Sequence, residues 1–327
     1  MDRLLEGLHS QLEPQEQSMQ FAASAEAHPT ARALRLDVGS LSRRGMDHAN
    51  EDRLHISEFT ELLSPGAQAA LLAGSTSKSM PCFVVLDGHG GAACAEAASK
   101  ELAANIAKAL EQKLAATGVS GEEARAELAG AMVEGFALTE AQCEAAYAAG
   151  GDKSGACAVC VLKCEANQQH VLHVANLGDC RAVVGRLEGQ RLLPVRLTTD
   201  HRATVQAERA RIESVGGKVV DKRALGELIP SRSLGDMKTK LKCPGAIIAT
   251  PDVTQHVLTT DDAWLVLASD GLWDDMKLDK VMEHLGKAKS ADAAAQAIAK
   301  GVIKKYGTKN TKPSDDLTVV AVSMAWA

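Results

Sequence analysis

The 327-residue chain has no apolar stretch approaching the roughly 20 residues needed to span a bilayer. Its first residues lack the charged-then-apolar layout of a secretory signal. Residue 2 is Asp, so the N-myristoylation pattern, which needs glycine there, is absent. These absences predict a soluble, intracellular protein, cytoplasmic and/or nuclear; a monomer is the expected state. Lysine and arginine nowhere form a block and the net charge is -6, which argues against nucleic acid or anionic membrane as the main partner. Internal repeats and low-complexity linkers are missing as well. Without a secretion signal, the eight cysteines read as reduced thiols rather than a disulfide framework. No second Cys or His pair follows Cys157, Cys160 and Cys164 at zinc-site spacing. Strand alternation places Cys157 on the face opposite Cys160 and Cys164, so all three are assigned to core packing. A 12-residue Asp-x-Asp-x-Asp-Gly loop is also missing, which removes the case for a calcium-binding structural protein.

What is present is a chain with 46% hydrophobic residues, enough for a substantial core. Leu4, Leu5, Leu8 and Leu12 recur at near-helical spacing and predict an N-terminal helix or arm over residues 1–35, leaving 36–327 as a single domain. A small-residue insert between Pro65 and Lys78 is expected to be a surface loop. The alanine-rich segments 92–116 and 122–149 are expected to form a helical hairpin. Short alternating runs at 156–163, 170–175, 181–185 and 192–197, broken at Gly178-Asp179 and Leu187-Glu188-Gly189, suggest an antiparallel meander. A helix near 205–214 should stop at Gly216-Gly217, and helices near 279–285 and 291–305 precede a final strand. Strands and helices in blocks rather than βαβ alternation imply α+β with antiparallel sheets.

Twice an apolar run ends in Asp-Gly: Phe83-Val84-Val85-Leu86 leads into Asp87-Gly88-His89-Gly90-Gly91, and Leu265-Val266-Leu267-Ala268-Ser269 into Asp270-Gly271-Leu272-Trp273-Asp274. Each aspartate then sits where a buried strand emerges and the backbone turns. A turn alone accounts for any single Asp-Gly. Glu51-Asp52 before Arg53-Leu54-His55-Ile56 and Asp315-Asp316 before Leu317 to Val322 add acidic residues beside two more strand-like runs. Ligands that are all carboxylates suit hard cations such as magnesium or manganese rather than zinc or copper. Two such ions can hold a bridging water, lower its pKa and stabilise an in-line displacement at phosphorus. A lone histidine is more often structural, but His89 beside this cluster is placed to protonate a departing alkoxide. Phosphate-monoester hydrolysis uses all of these parts.

The ordered motifs resemble the metal-dependent serine/threonine phosphatases of type 2C (PPM family) over roughly Asp37 to Ser323. Ser42-Arg43-Arg44-Gly45 with Asn50-Glu51-Asp52 looks like the opening motif, and Phe83 to Gly91 like the Asp-Gly-His-Gly-Gly motif. Gly178-Asp179-Cys180-Arg181-Ala182, Leu197-Thr198-Thr199-Asp200-His201-Arg202, and Glu208 to Ile212 with Gly216-Gly217 follow in the family's order. Ser231-Arg232-Ser233-Leu234-Gly235-Asp236, Asp270 to Asp274 and Ser314 to Thr318 complete the set. The resemblance implies a four-layer αββα fold: a β-sandwich of two antiparallel sheets flanked on both sides by antiparallel helices. It implies Asp87 as a ligand bridging two metals, Gly88 as a carbonyl ligand of one, and Glu51, Asp270 and Asp315 as ligands of the other. Asp52 would hold metal-bound water, while Asp179 and Asp274, with Asp270, match a weaker third position. The implied partners are phosphoprotein substrates.

One departure matters. Four residues before Glu51 the family usually carries a phosphate-binding arginine, and here that residue is Asp47. At roughly 5 Å and an effective dielectric near 20, an ionised carboxylate repels each phosphate charge by about 3 kcal/mol before screening. Arg43, Arg44 or His48 is the expected substitute for binding the phosphate if Asp47 points away. If Asp47 faces the site, the rival reading is a catalytically weak or silent relative that docks phosphoproteins. Smaller departures are Asp316 in place of asparagine, Ala156-Cys157 in place of Ser-Thr, and Leu228-Ile229-Pro230, whose proline suggests a reshaped flap beside the site.

Overall fold

The computed structural model describes residues 32–45, 49–307 and 315–327. Residues 1–31 of the expected N-terminal helix or arm, Asp47 and His48 lie outside the described residues, whereas Leu34 and Arg35, expected to belong to that arm, begin the first strand because they pair with the last one. In chain order come strand β1 (Leu34–Arg43), β2 (Arg53–Glu58), helix α1 (Pro65–Leu72) and β3 (Pro81–His89). Helices α2 (Ala93–Thr117), α3 (Glu122–Ala126) and α4 (Leu128–Gly150) lead to β4 (Gly155–Ala166), β5 (Gln169–Leu177), β6 (Arg181–Glu188) and β7 (Arg191–Arg196). Then follow α5 (Gln206–Ser214), β8 (Val219–Val220), β9 (Arg223–Ala224), β10 (Leu234–Gly235), α6 (Met237–Lys242), β11 (Asp252–Val257) and β12 (Asp262–Ala268). The chain closes with α7 (Asp270–Trp273), α8 (Leu278–Lys287), α9 (Ala291–Gly307) and β13 (Leu317–Trp326).

One sheet has the order β1-β13-β12-β6-β7 and the other β11-β5-β4-β3-β2, with β10 attached to β4. All these pairings are antiparallel. The period-2 alternation of the strands assigns each residue to a layer. Phe83 and Val85 of β3 face inward and meet Leu265 and Leu267 of β12 and Val320 and Val322 of β13 between the sheets. Their neighbours Cys82, Val84 and Leu86 face the opposite way, into a layer with Leu102, Ile106 and Leu110 of α2 and Met132 and Phe136 of α4. On the far side, Val266 of β12 and Val319 and Ala321 of β13 pack on Val281 and Leu285 of α8 and Ile298 and Val302 of α9. The architecture is therefore the expected four-layer α+β sandwich. Cys157 lies in the layer between the sheets and Cys160 and Cys164 in the helix-facing layer, as alternation required.

Two local expectations need correction. The segment after Pro65 is a helix rather than a loop: Pro occupies its first turn, where no amide donor is needed, and Ala67 and Leu71 are buried against the body. The four-strand meander does not exist as one unit. β4 pairs with β5 and β6 with β7, but Gly178-Asp179 carries the chain from one sheet to the other. Gly178 has φ of +95°, and a Cβ there would lie 2.2 Å from Cys157 Sγ, so only glycine makes this crossing. A small separate core of Ala203, Ile212, Ala224, Ala246 and Ile247 supports the flap that contains β8, β9 and the Leu228-Ile229-Pro230 turn. Among the described residues, no helix is long and apolar enough to cross a membrane.

Candidate active site

The site forms where three chain reversals meet. Asp87 lies near the end of β3, Asp179 on the crossing between sheets, and Asp270 at the start of α7, just after β12. One carboxylate oxygen from each lies within 4.8 Å of the other two. The Asp270 amide donates to Asp87 Oδ2 at 3.4 Å. Burial pushes the Asp87 carboxyl well above the usual carboxylate range, and the charges of Asp270, Asp52, Asp179 and Asp315 add to the push. Burial does the same to Asp270, with Asp179 and Asp315 adding to it. Three carboxylates held this close with oxygen-only donors fit a hard divalent cation, which would remove the repulsion.

Around this cluster lies a cleft of about 550 Å³, lined by Glu51, Asp87, Gly88, His89, Asp179, Asp270 and Asp315, together with Arg223, Glu227 and Leu228 to Pro230 of the flap. The proline-containing turn thus does border the cleft. Gly88 is pressed against the opening motif: a Cβ there would lie 2.3 Å from the Glu51 carbonyl oxygen. The departure at Asp316 has a structural reason. Its carboxylate accepts the Gly45 amide at 2.7 Å and the Glu51 amide at 2.6 Å, tying the opening motif to the last strand. Asp52 stands behind the cleft, 2% exposed, and accepts from Ser269 Oγ at 2.7 Å. Burial, opposed by bonds from Ser269 and Thr318 and assisted by Asp316 and Asp315, raises its pKa to about 7.

Asp274 is not among the cleft residues. Its carboxylate is paired instead with Arg202, whose Nη2 lies 2.9 Å from Asp274 Oδ2 and 3.2 Å from Asp270 Oδ2. Arg202 Nε also donates to Asp179 Oδ2 at 2.8 Å. The three residues expected to hold a weaker third metal therefore share the guanidinium of Arg202.

His89 Nε2 lies 2.7 Å from Asp236 Oδ2, a partner that the sequence reading quoted within a motif but gave no role. Ser233 Oγ donates to the same oxygen at 2.6 Å, and the Asp236 amide donates to the Ser154 carbonyl at 3.0 Å. Burial disfavours the imidazolium, but the bond to Asp236 and its charge outweigh burial and hold the His89 pKa above its usual value. Arg43 and Arg44 lie at and just beyond the exposed end of β1 and do not line the cleft. Among the described residues, the lysine and arginine that do are Lys153 and Arg223, which lie outside the sequence motifs. Lys153 precedes Ser154-Gly155, and a Cβ on Gly155 would lie 2.5 Å from His89 Nε2, so this strand start abuts His89. The motif positions pointed to the carboxylates that line the cleft, but a cation supplied by the flap has no spacing to reveal it.

A family model described as Protein phosphatase 2C matches residues 36–312. Protein phosphatase 2C 53 of rice (Oryza sativa subsp. japonica) is 35% identical over 274 residues, covering 74% of this chain and 58% of the relative. The human integrin-linked kinase-associated serine/threonine phosphatase 2C is 31% identical over 257 residues, covering 73% of this chain and 62% of the relative. The chain thus spans less than two thirds of the length of these two relatives. The crystal structure of a serine-threonine phosphatase 2C from Toxoplasma gondii aligns with a TM-score of 0.72 over 91% of this chain and 97% of that one, at 20% identity, a likeness of fold.

Proposed function

This chain belongs to the protein phosphatase 2C family, and from that premise we propose that it hydrolyses phosphoserine and phosphothreonine in proteins. The observation that carries this reading is the convergence of Asp87, Asp179 and Asp270 in the cleft that also holds His89 on Asp236. Two magnesium or manganese ions bound there would activate a water and stabilise the oxygens of an in-line displacement. Asp87 would bridge the ions, Gly88 would offer its carbonyl, and Glu51, Asp270 and Asp315 would complete the set. Asp52, raised toward neutrality behind Asp87, is suited to a role as proton acceptor or hydrogen-bond partner for the activated water. His89, whose protonated form Asp236 favours, donates to the departing serine or threonine oxygen, which leaves poorly as an alkoxide. Lys153 and Arg223 replace Arg43 and Arg44 as the proposed phosphate-binding cations, because they stand in the cleft and carry no ion pair to a described carboxylate. Residues 36–327 would act as one catalytic domain, a monomer of the cytoplasm or nucleus.

The test is turnover of a phosphothreonine peptide with and without manganese or magnesium, with Asp87→Asn as the control. Metal-dependent turnover that Asp87→Asn abolishes supports the reading. Absence of turnover despite manganese binding by calorimetry would overturn it in favour of a silent docking protein.

A further inference from the structure

Cys94, in the first turn of α2, and Cys143, in α4, bring their sulfur atoms to 3.6 Å. Both line a cavity of about 430 Å³ with Ala97, Gln142, Ala146 and Met237. Cys94 is buried, whereas Cys143 is partly exposed, so a small reagent entering the cavity meets Cys143 first. A second close pair makes the contrast. Cys82 and Cys160 lie 4.0 Å apart but are 0% exposed in the helix-facing core. The hydrogen bond between the thiols of Cys94 and Cys143 pushes Cys143 down and Cys94 up, so Cys143 supplies the thiolate, which is the reactive form.

We propose that Cys94 and Cys143 form an oxidation site, a dithiol that a hydroperoxide converts into a disulfide joining α2 to α4. The Cys143 thiolate attacks one peroxide oxygen, the O–O bond breaks, and with hydrogen peroxide the other oxygen leaves as water after taking up the thiol proton. Cys94 sulfur then attacks the Cys143 sulfenic acid, an S–S bond forms, the S–O bond breaks, and a second water leaves with the Cys94 proton. Two thiols lose two electrons and one peroxide becomes two waters.

The bridge reaches the active site through both of its ends. A disulfide needs its sulfurs at about 2.05 Å, so the pair must close by about 1.5 Å. α2 begins directly after the His89-Gly90-Gly91 loop, and the Cys94 amide donates to Ser154 Oγ at 2.9 Å. Cys94 sulfur also packs on Gly235, where a Cβ would lie 2.9 Å from it. On α4, Glu140 stands one turn before Cys143 and accepts the Gly235 amide at 2.9 Å. Gly235 precedes Asp236, the residue that holds His89. Drawing the sulfurs together therefore displaces Asp236 relative to His89 and lowers turnover, a consequence that rests on the phosphatase reading, whereas the oxidation itself does not.

The experiment treats the reduced full chain with graded hydrogen peroxide, blocks remaining thiols with N-ethylmaleimide, and maps unreduced digests by mass spectrometry. The expected product is a Cys94 peptide joined to a Cys143 peptide, lighter by two hydrogens than their sum and released by dithiothreitol, with Cys82 and Cys160 still thiols. Turnover of a phosphothreonine peptide should fall about tenfold or more as the link accumulates, the scale of a displaced proton donor, and return on reduction. Cys143→Ser should neither link nor lose turnover at the same dose. Recovery of both thiols unmodified, or a link between Cys143 and any other cysteine, overturns the oxidation site; because this is read on the wild type, it needs no folded variant. A link that leaves turnover unchanged overturns the coupling to His89. A protein that links normally but never hydrolyses the peptide contradicts the phosphatase reading and leaves the oxidation site standing.

Discussion

Asp236 reaches His89 from a left-handed backbone: its φ is 54°, and its carboxylate oxygen lies 2.7 Å from His89 Nε2. A non-glycine residue in that region costs on the order of 1 kcal/mol, which persists only where surrounding contacts hold it. Here Ser233, the Ser154 carbonyl and His89 do so. If His89 is the acid, Asp236→Asn should slow a phosphothreonine peptide by about 100-fold, since general acid catalysis contributes on that order. p-Nitrophenyl phosphate, whose leaving group needs no proton, should slow far less. Equal losses on both substrates would show that Asp236 merely supports the fold.

The carboxylate cluster predicts two effects of opposite sign from one substitution. Without metal, ionised Asp87 is destabilised by burial and by Asp270, Asp52 and Asp179. Its raised pKa means that this penalty grows as pH rises past the usual carboxylate value. Asp87→Asn should therefore raise the melting temperature of the metal-free protein at pH 7 by a few degrees. The same substitution should abolish the further rise that manganese gives the wild type. Calorimetric melting with and without manganese checks both; a manganese-induced rise that survives in Asp87→Asn rules the cluster out as the metal site.

Much of this was legible because strand alternation and Asp-Gly strand ends are local signals. Alternation placed Cys157 on one face and Cys160 and Cys164 on the other, as the two core layers have them, and Asp87, Asp179 and Asp270 were expected to meet. The crossing at Gly178-Asp179 was not legible, since a turn between adjacent strands and a passage between sheets use the same residues. α1 was hidden because Ala67 and Leu71 gain their burial from tertiary contacts rather than from a strong apolar stripe. The Asp236 partner of His89 and the pairing of Arg202 with Asp179, Asp270 and Asp274 join segments far apart in sequence, which spacing alone does not connect.

Arg202 pairs with all three carboxylates that the family resemblance assigns to a third cation. Its guanidinium neutralises Asp179 and Asp274, so an added ion must first displace it. Arg202→Ala should leave those carboxylates facing one another and add one manganese to the stoichiometry seen by titration calorimetry. An unchanged stoichiometry would show that Asp274 and Asp179 are no metal position in this chain.

Lys153 and Arg223 approach the cleft from β4's leading edge and from the flap, respectively. Arg223 Nη1 donates to the Glu227 carbonyl at 2.8 Å, which keeps the flap turn in place while leaving the charge available. Each alanine substitution should raise the KM for a phosphothreonine peptide by about tenfold, the value of one charge-assisted bond, with kcat nearly unchanged. Arg43→Ala should leave KM alone. The reverse pattern, KM sensitive to Arg43 and indifferent to Lys153 and Arg223, would return the phosphate to the opening motif.

The flap is anchored by Glu208 of α5, 4% exposed, whose carboxylate accepts from Ser231 Oγ and Arg232 Nη2 at 2.6 Å and from Arg211 Nη2 at 2.7 Å. Burial opposes its charge, but Arg232, Ser231 and Arg211 outweigh burial and bring its pKa down to about 2. A carboxyl depressed in the folded state stabilises the fold above its unfolded value near 4.3, and that contribution is lost as pH falls toward 2. The depression corresponds to about 3 kcal/mol at neutral pH, at 1.36 kcal/mol for each tenfold change in proton affinity. Glu208→Gln should therefore be less stable than the wild type by about that amount at pH 7 in urea. The gap between the two proteins should close progressively between pH 4.3 and 2, because only the wild type loses the stabilising charge. Urea midpoints that stay separated by a constant interval down to pH 2 would mean that the carboxylate's charge is not what holds the flap to α5.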